Sequence, residues 1–169
     1  MIIVYLNFYM KKHILLTIAA VLVVGCGESQ EDIDNMLISS SSSSNAENVL
    51  KAVKKGANVN AKTSTGWSDL RYASMFGHAD TAKILIENGA NVNEINDSTG
   101  SSCLHAAMQG GHLEVSKVLL ENGANVNIKG RRFGRTPLDT SISWNRDELT
   151  NLLRKHGAKT GEELKTEGK

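Results

Sequence analysis

Proline occurs once, at Pro137, and cysteine only at Cys26 and Cys103, in a chain of 169 residues with an aromatic content of 5%. So few cysteines exclude a disulfide-built fold. So few aromatics leave Leu, Ile, Val and Ala to build the core. Charge of one sign is missing too: 19 Lys and Arg face 18 Asp and Glu, a balance that gives no long-range attraction to nucleic acid or to an anionic bilayer. The chain has no His-Glu-x-x-His, no Gly-x-Ser-x-Gly and no phosphate-cradling glycine loop, which removes the best-marked hydrolase and nucleotide-binding classes. What is plentiful is glycine, with 15 residues. That composition suits many short helices broken at glycine turns better than a long sheet.

Long apolar runs are also scarce. Ile14 to Val24 is an apolar stretch of eleven residues behind Met10-Lys11-Lys12, whereas a membrane-spanning helix needs about 20. A short basic start followed by a short apolar core has the layout of an export signal, and Met10 is its expected start. Val23-Val24-Gly25-Cys26 resembles a bacterial lipobox, with Val at a first position where Leu is commoner. The resemblance implies cleavage after Gly25, a diacylglyceryl thioether on Cys26 and a further acyl chain, such as palmitate, on its new amine. One chain binds a bilayer marginally, while two or three hold it firmly. Gly27 stands where Asp would signal inner-membrane retention, so the expected location is the bacterial envelope, with the outer membrane facing the periplasm favoured. A plain secretory leader and an N-terminal anchor helix are the alternatives. Without Lys11 and Lys12 the mature chain is close to neutral, and with Cys26 acylated its one thiol is Cys103.

A repeat appears when Gly-Ala pairs are aligned: Gly56-Ala57, Gly89-Ala90, Gly123-Ala124 and Gly157-Ala158 are spaced by 33, 34 and 34 residues, and the first three continue as Asn-Val-Asn. A period of this length marks a solenoid. The units open with Thr65-Gly66-Trp67-Ser68-Asp69-Leu70, Thr99-Gly100-Ser101-Ser102-Cys103-Leu104-His105-Ala106-Ala107 and Phe133-Gly134-Arg135-Thr136-Pro137-Leu138. Gly77-His78 and Gly111-His112 follow in mid-unit. Ala82-Lys83-Ile84-Leu85-Ile86-Glu87-Asn88-Gly89-Ala90 and Ser116-Lys117-Val118-Leu119-Leu120-Glu121-Asn122-Gly123-Ala124 close two of them. These segments resemble the ankyrin repeat over roughly Asn45 to Thr160. The resemblance implies an all-α solenoid of stacked helix-turn-helix units with short β-hairpin loops, about four units in all. The family's histidine that bonds between neighbouring turns is kept only at His105, since Arg71 and Asp139 hold the equivalent positions.

Residue chemistry supports the same units. Ser102 and Thr136 precede helical runs, where a hydroxyl takes a free backbone N–H, and Pro137 then sits where a missing donor costs nothing. Ala79, Ala82, Leu85 and Ile86 form one apolar stripe, and Leu113, Ser116, Leu119 and Leu120 form the next. Ala46, Val49, Ala52 and Val53 repeat that stripe one unit earlier. The ends are worn. Six serines at Ser39 to Ser44 fall where a first helix belongs, and this polar stretch is read as a tether, with a cap helix built around Met36-Leu37-Ile38 as the alternative. At the other end Asp147, Thr150 and Arg154 replace apolar positions, as a terminal cap requires, and Thr160-Gly161-Glu162-Glu163 suits a capping box. The expected organisation is residues 1–25 as signal, 26–44 as lipidated cysteine and tether, 45–160 as repeats and 161–169 as tail.

Catalysis and metal binding are not expected. His78, His105 and His112 fall on structural histidine positions of the repeat, and Cys103 and His105 are two apart on a helix, which does not make them face each other. No cofactor and no small-molecule substrate are implied. The resemblance implies binding of a protein partner, through finger tips near Lys62–Ser64, Ile95–Ser98 and Lys129–Phe133 and through the inner helix face. The candidate contact residues are Trp67, Tyr72, Met75, Phe76, Gln109, Arg131, Arg132, Phe133, Arg135 and Trp144, with Trp and Arg the types enriched at interface hot spots. The expected function is a membrane-anchored protein-binding module held at the bilayer by Cys26. The alternatives are an envelope protein dedicated to one partner, as an immunity protein is, and an enzyme auxiliary or weak hydrolase.

Overall fold

Four hydroxyls start the inner helices of this chain. Ser29, Ser68, Ser102 and Thr136 each accept a backbone N–H from three residues ahead, satisfying a donor that the first helical turn leaves free. Asp32, His105 and Asp139 return the bond to the cap backbone and close capping boxes. The computed structural model describes residues 28–131 and 134–167. Among these residues the order is α1 (Gln30–Ser42), α2 (Ala46–Lys54), α3 (Asp69–Phe76), α4 (Ala79–Glu87), α5 (Cys103–Gly110), α6 (Leu113–Glu121), α7 (Pro137–Ser143), α8 (Asp147–Lys155) and α9 (Glu163–Glu167). The export signal, Cys26, Arg132 and Phe133 lie outside the described residues. No described helix is long and apolar enough to cross a membrane.

The helices form two layers because each unit is too small to bury its own apolar face. The odd-numbered helices stack as α1 on α3, α3 on α5 and α5 on α7, and α2, α4, α6 and α8 stack behind them. Leu37, Leu70, Leu104 and Leu138 occupy the same place in the four inner helices and are at most 1% exposed. Each such burial stabilises by about 1.5–3 kcal/mol relative to an exposed side chain. Val49, Leu85, Leu119 and Leu153 fill the facing layer. Between units the chain turns out into fingers, closed by antiparallel bridges at Lys62 to Ser68 and Ile95 to Ser102.

The stretch expected as a tether is part of this stack. Helix α1 carries the serine run as far as Ser42, and Leu37, Ser40 and Ser41 are buried. Serine serves here as a small residue: Ser40 aligns with Ala73 and Ala107, both fully buried where neighbouring helices meet. Ser39 and Ser42, on the exposed side, donate to carbonyls one turn earlier, whereas the buried Ser41 hydroxyl has no hydrogen-bond partner. Composition misled because it counts serine as solvated, whereas at this position its volume matters more.

Two ladders tie successive units. The second Asn of each Asn-Val-Asn reaches the next unit twice: Asn93 Nδ2 donates to Gly123 O at 3.0 Å and Asn93 Oδ1 accepts from Asn125 N at 2.7 Å. Asn60 and Asn127 repeat the pair. At the N-terminal end Gln30 donates to Gly56 O and Asp34 accepts from Asn58 N, so two side chains of α1 complete what one Asn does elsewhere. On the opposite edge His78 donates to Ser42 O, His112 to Met75 O and Arg146 to Gln109 O, each joining one unit to the unit before it. The C-terminal cap forms as a Thr160–Glu163 capping box, with Glu163 also paired to Arg154 at 2.9 Å.

Candidate functional site

Because the units repeat at 34 residues, side chains of α3, α5 and α7 fall into rows across the inner face. Trp67, Ser101 and Arg135 form the row nearest the fingers; Tyr72, Ala106 and Thr140 form the middle row; Phe76, Gly110 and Trp144 form the row at the helix ends. The central unit contributes the small member of every row. The result is a trough over α5, walled by Trp67, Tyr72 and Phe76 on one side and by Arg135, Thr140 and Trp144 on the other. Gly110 has a packing reason to be small. A Cβ there would meet the Met75 carbonyl at 2.5 Å and the His112 ring that donates to it.

One wall is aromatic. The Trp67 and Tyr72 ring centroids lie 5.0 Å apart, and those of Tyr72 and Phe76 lie 6.4 Å apart and nearly parallel. Phe76 is 51% exposed and Trp144, at the equivalent position two units on, is 50% exposed. Large apolar side chains held open at matching positions on one face are the feature that a surface without a partner has least reason to carry.

The floor and far wall of the trough form a cavity of about 240 Å³ lined by Arg71, Thr99, Ser101, His105, Ala106, Gln109, Gly130, Arg135, Thr140 and Trp144. Arg71 is 6% exposed, its guanidinium sits 4.9 Å from the centroid of the Trp67 ring, and its Nη1 donates to the carbonyls of Ser101 and Ser102. Its Nε is buried without a partner. Burial lowers the Arg71 pKa, with Cys103 and Glu94 acting the other way. His105 sits beneath, 6% exposed. The Arg135 carbonyl only accepts, so His105 Nε2 carries the proton donated to it at 3.0 Å, and Nδ1 accepts from Ser102. Burial holds the His105 pKa below its usual value, ahead of the opposing bond to Arg135.

The sequence-predicted residues divide cleanly. Gln109, Arg135 and Trp144 come together in the cavity, and Trp67, Tyr72 and Phe76 form the aromatic wall. Met75 contributes its carbonyl to His112. Arg131 is turned across the fingers, with its backbone N–H on Thr99 O and its Nη1 on Asp97 O. Lys62 approaches the same Asp97 from the other side at 3.3 Å, so these tips hold neighbouring fingers together. Arg71 and His105 were passed over as site residues. Writing the units in register, one above the other, exposes both, along with the bulky-small-bulky pattern of the rows.

Cys103 and His105 do not assemble a nucleophile. The thiol is 1% exposed and is pushed up to about 12, chiefly by burial, while both imidazole nitrogens are engaged elsewhere. Cys103 is fully buried, because the position that Pro137 fills in the next unit points into the core.

Comparison with known proteins agrees with this geometry. A family model described as ankyrin repeats in three copies matches residues 93–163, and one for a single ankyrin repeat matches residues 70–97. An ankyrin repeat-containing protein of Caenorhabditis elegans is 40% identical over 65 residues, which are 38% of this chain and 6% of that protein. The chain therefore spans a small fraction of that relative. Ankyrin repeats are present in this chain, and its fold is an all-α ankyrin solenoid.

Proposed function

We propose that this chain is a noncovalent protein-binding module, working without turnover and held at a bacterial membrane through acylated Cys26. The observation that carries the binding reading is the trough over α5, which keeps Phe76 and Trp144 half exposed at equivalent positions on its two walls above a polar cavity. Aromatic anchors around a depression are the residues that supply most binding energy at protein interfaces. The ankyrin repeats support the same reading, since a stack of this kind presents a preformed surface whose helices need not reorganise on binding. The anchor rests on Val23-Val24-Gly25-Cys26 and on the short apolar stretch before it, and the proposed location is the envelope, with the outer membrane facing the periplasm preferred.

The test is capture from detergent-solubilised membranes with the tagged chain, beside a Phe76→Ala, Trp144→Ala double variant. Both side chains are half exposed, so the variant is expected to keep its fold while losing the captured partner. A partner retained by the variant would move the site away from the trough. Metabolic labelling with radioactive palmitate, with Cys26→Ser as control, tests the anchor separately; unlabelled wild type would end that part of the proposal.

A further inference from the structure

We infer that the cavity under the trough is a carboxylate-recognition pocket, and that the partner segment is an acidic peptide with apolar neighbours. This rests on the protein-binding reading above and gives that partner a chemistry.

The first observation is charge. Among its lining residues are two arginines and no Asp or Glu, and the His105 there is a neutral donor to Arg135 O. The Arg71 guanidinium is taken out of water, yet no carboxylate of the described residues lies within ion-pair distance of it. Glu94 acts on it through space without an ion pair to it, and is itself 3.7 Å from Lys62. A buried guanidinium held by two carbonyl oxygens and an indole face, with no ion-pair partner, is an uncommon arrangement, since buried charges are normally paired.

The second observation is the unpartnered donor. Arg71 Nε is buried without an acceptor on a side chain that lines the cavity. An arginine fork is suited to receive a carboxylate through two parallel N–H groups, and such charge-assisted bonds are roughly twice as strong as neutral ones. Ser101 adds a hydroxyl to the cavity lining, while the Thr99 hydroxyl is already donated to Asn96 Oδ1.

Size and surroundings select a peptide. About 240 Å³ falls below the roughly 300–1,000 Å³ of small-molecule sites, but it has room for one acidic side chain. Trp144 lines the cavity, and the aromatic wall begins at Trp67, whose ring lies 4.9 Å from the Arg71 guanidinium, so flanking apolar side chains of the same segment have surface to rest on. A nucleic acid or an anionic bilayer calls for a broad basic field, and the near-neutral charge of this chain does not provide one. The trough thus reads a pattern, an acid between apolar residues, more than a net charge.

Selection of a displayed library of random dodecapeptides on the full chain tests this. The expected result is enrichment of Asp or Glu flanked by Leu or aromatic residues. In a selected peptide, Glu→Gln or Asp→Asn at the enriched position is expected to weaken binding at least tenfold, and inorganic phosphate at millimolar concentration is expected to displace little. The protein-side variant is Arg71→His, which keeps an inter-unit donor of the kind His105 supplies while removing the permanent charge; it is expected to lose the acidic preference. The peptide substitution leaves the protein untouched, so the test holds even if that variant folds poorly. Selected peptides without acidic enrichment, or an amide variant that binds equally well, overturn the carboxylate pocket and leave the protein-binding reading standing. Displacement by phosphate as effective as by the acidic peptide would mark a general anion site and also overturn it. Failure to select any peptide overturns it as well, and capture of a folded partner through Phe76 and Trp144 then decides the broader reading independently.

Discussion

Arg71 holds in the second unit the position that His105 holds in the third, and the two make the same bond. Arg71 Nη1 donates to Ser101 O at 2.9 Å, and His105 Nε2 donates to Arg135 O at 3.0 Å, one unit further along. Asp139, next in the series, keeps the contact with reversed polarity, its Oδ2 accepting from Gly161 N at 2.8 Å. The inter-unit bond expected only at His105 is therefore present in three forms. Any side chain serves if it presents a donor to a carbonyl or an acceptor to an amide at that place.

A pair of substitutions separates the bond from the charge. Arg71→Ala leaves the Ser101 and Ser102 carbonyls without a charged donor and removes the guanidinium that lies over Trp67, with the stem that carries it, and a loss of about 2–3 kcal/mol is expected. Arg71→His should cost less than half of that, because a histidine already makes this contact in the following unit. Urea unfolding of the two variants beside wild type gives the comparison, and equal losses would show that packing of the arginine stem dominates over its bond.

Asp69 gives a pH dependence of unusual sign for a carboxylate. It is fully buried at the start of α3, and neither oxygen has a hydrogen-bond partner. Its pKa is pushed up from 3.8 to about 7, first by burial and further by Asp34 of the α1 helix and Glu94 of the next finger; the Ser41 hydroxyl pulls it down without a bond of ordinary geometry. The folded chain thus holds this proton up to about pH 7, whereas the unfolded chain releases it near 3.8. Between those values folding takes up a proton, so this contribution to stability is complete below pH 3.8 and is lost as pH rises towards 7. The size is on the order of 4 kcal/mol. His105 acts oppositely, since its lowered pKa costs stability as pH falls below its unperturbed value. Asp69→Asn should remove the decline in thermal midpoint between about pH 5 and 7. Asp69→Pro should go further at neutral pH: Ser68 is extended at φ −89°, ψ 166°, nearly the conformation of Thr136 before Pro137, and proline at a compatible site adds about 0.4–1 kcal/mol. A decline that survives in both variants would place its origin elsewhere.

How far these features were legible follows from what each depends on. The units, their caps and the buried leucines follow from spacing, because Ser68, Ser102 and Thr136 and the leucines two residues after them recur at 34 residues and each recurrence has one physical meaning. The aromatic wall was legible as a set of candidates, since Tyr72 and Phe76 stand four residues apart on α3 and Trp67 just before its cap. What spacing within one unit does not show is a contrast between units. Ser101, Ala106 and Gly110 look ordinary until they stand between bulkier neighbours, and Arg71 looks like a departure until its bond to Ser101 is seen. The serine run was misread for the same reason. Ser40 and Ser41 are polar by composition but small by volume, and the space beside α3 selects for volume.

Helix α1 is therefore expected to behave as part of the domain. Leu37 is fully buried in register with Leu70, and Leu37→Ala should destabilise by about 2–5 kcal/mol, as other buried leucines do. Substitution in a solvated tether would change nothing. Ser44, at φ +59°, stands where Gly77 and Gly111 stand in later units, and Ser44→Gly should stabilise the same end by about 0.5–1 kcal/mol through relief of a left-handed serine. Native-state hydrogen exchange of α1 amides reads both effects locally. If neither moves protection there, α1 does not dock on α3 in solution.

The asparagine ladder gives a prediction about where the stack breaks. In a solenoid each unit touches only its neighbours, so stability is close to a sum of unit and interface contributions. Asn93 joins the second and third units through two bonds, to Gly123 O and Asn125 N, whereas Asn127 joins the third unit to the end of the fourth and last, at Gly157 O and Lys159 N. Their chemistry is alike, and removing either side chain forfeits about 1–2 kcal/mol. The consequences differ with place. Asn93→Ala weakens a central interface on which both halves depend, so it should lower the midpoint of global unfolding and speed exchange throughout α3 to α6. Asn127→Ala should leave the global midpoint nearly unchanged and speed exchange only in the last unit, α7 to α9, where the longer bond of 3.4 Å to Gly157 O is already the weakest rung. Equal global losses from the two variants would mean that the chain unfolds as a single cooperative block, with its end unit contributing as much as its centre.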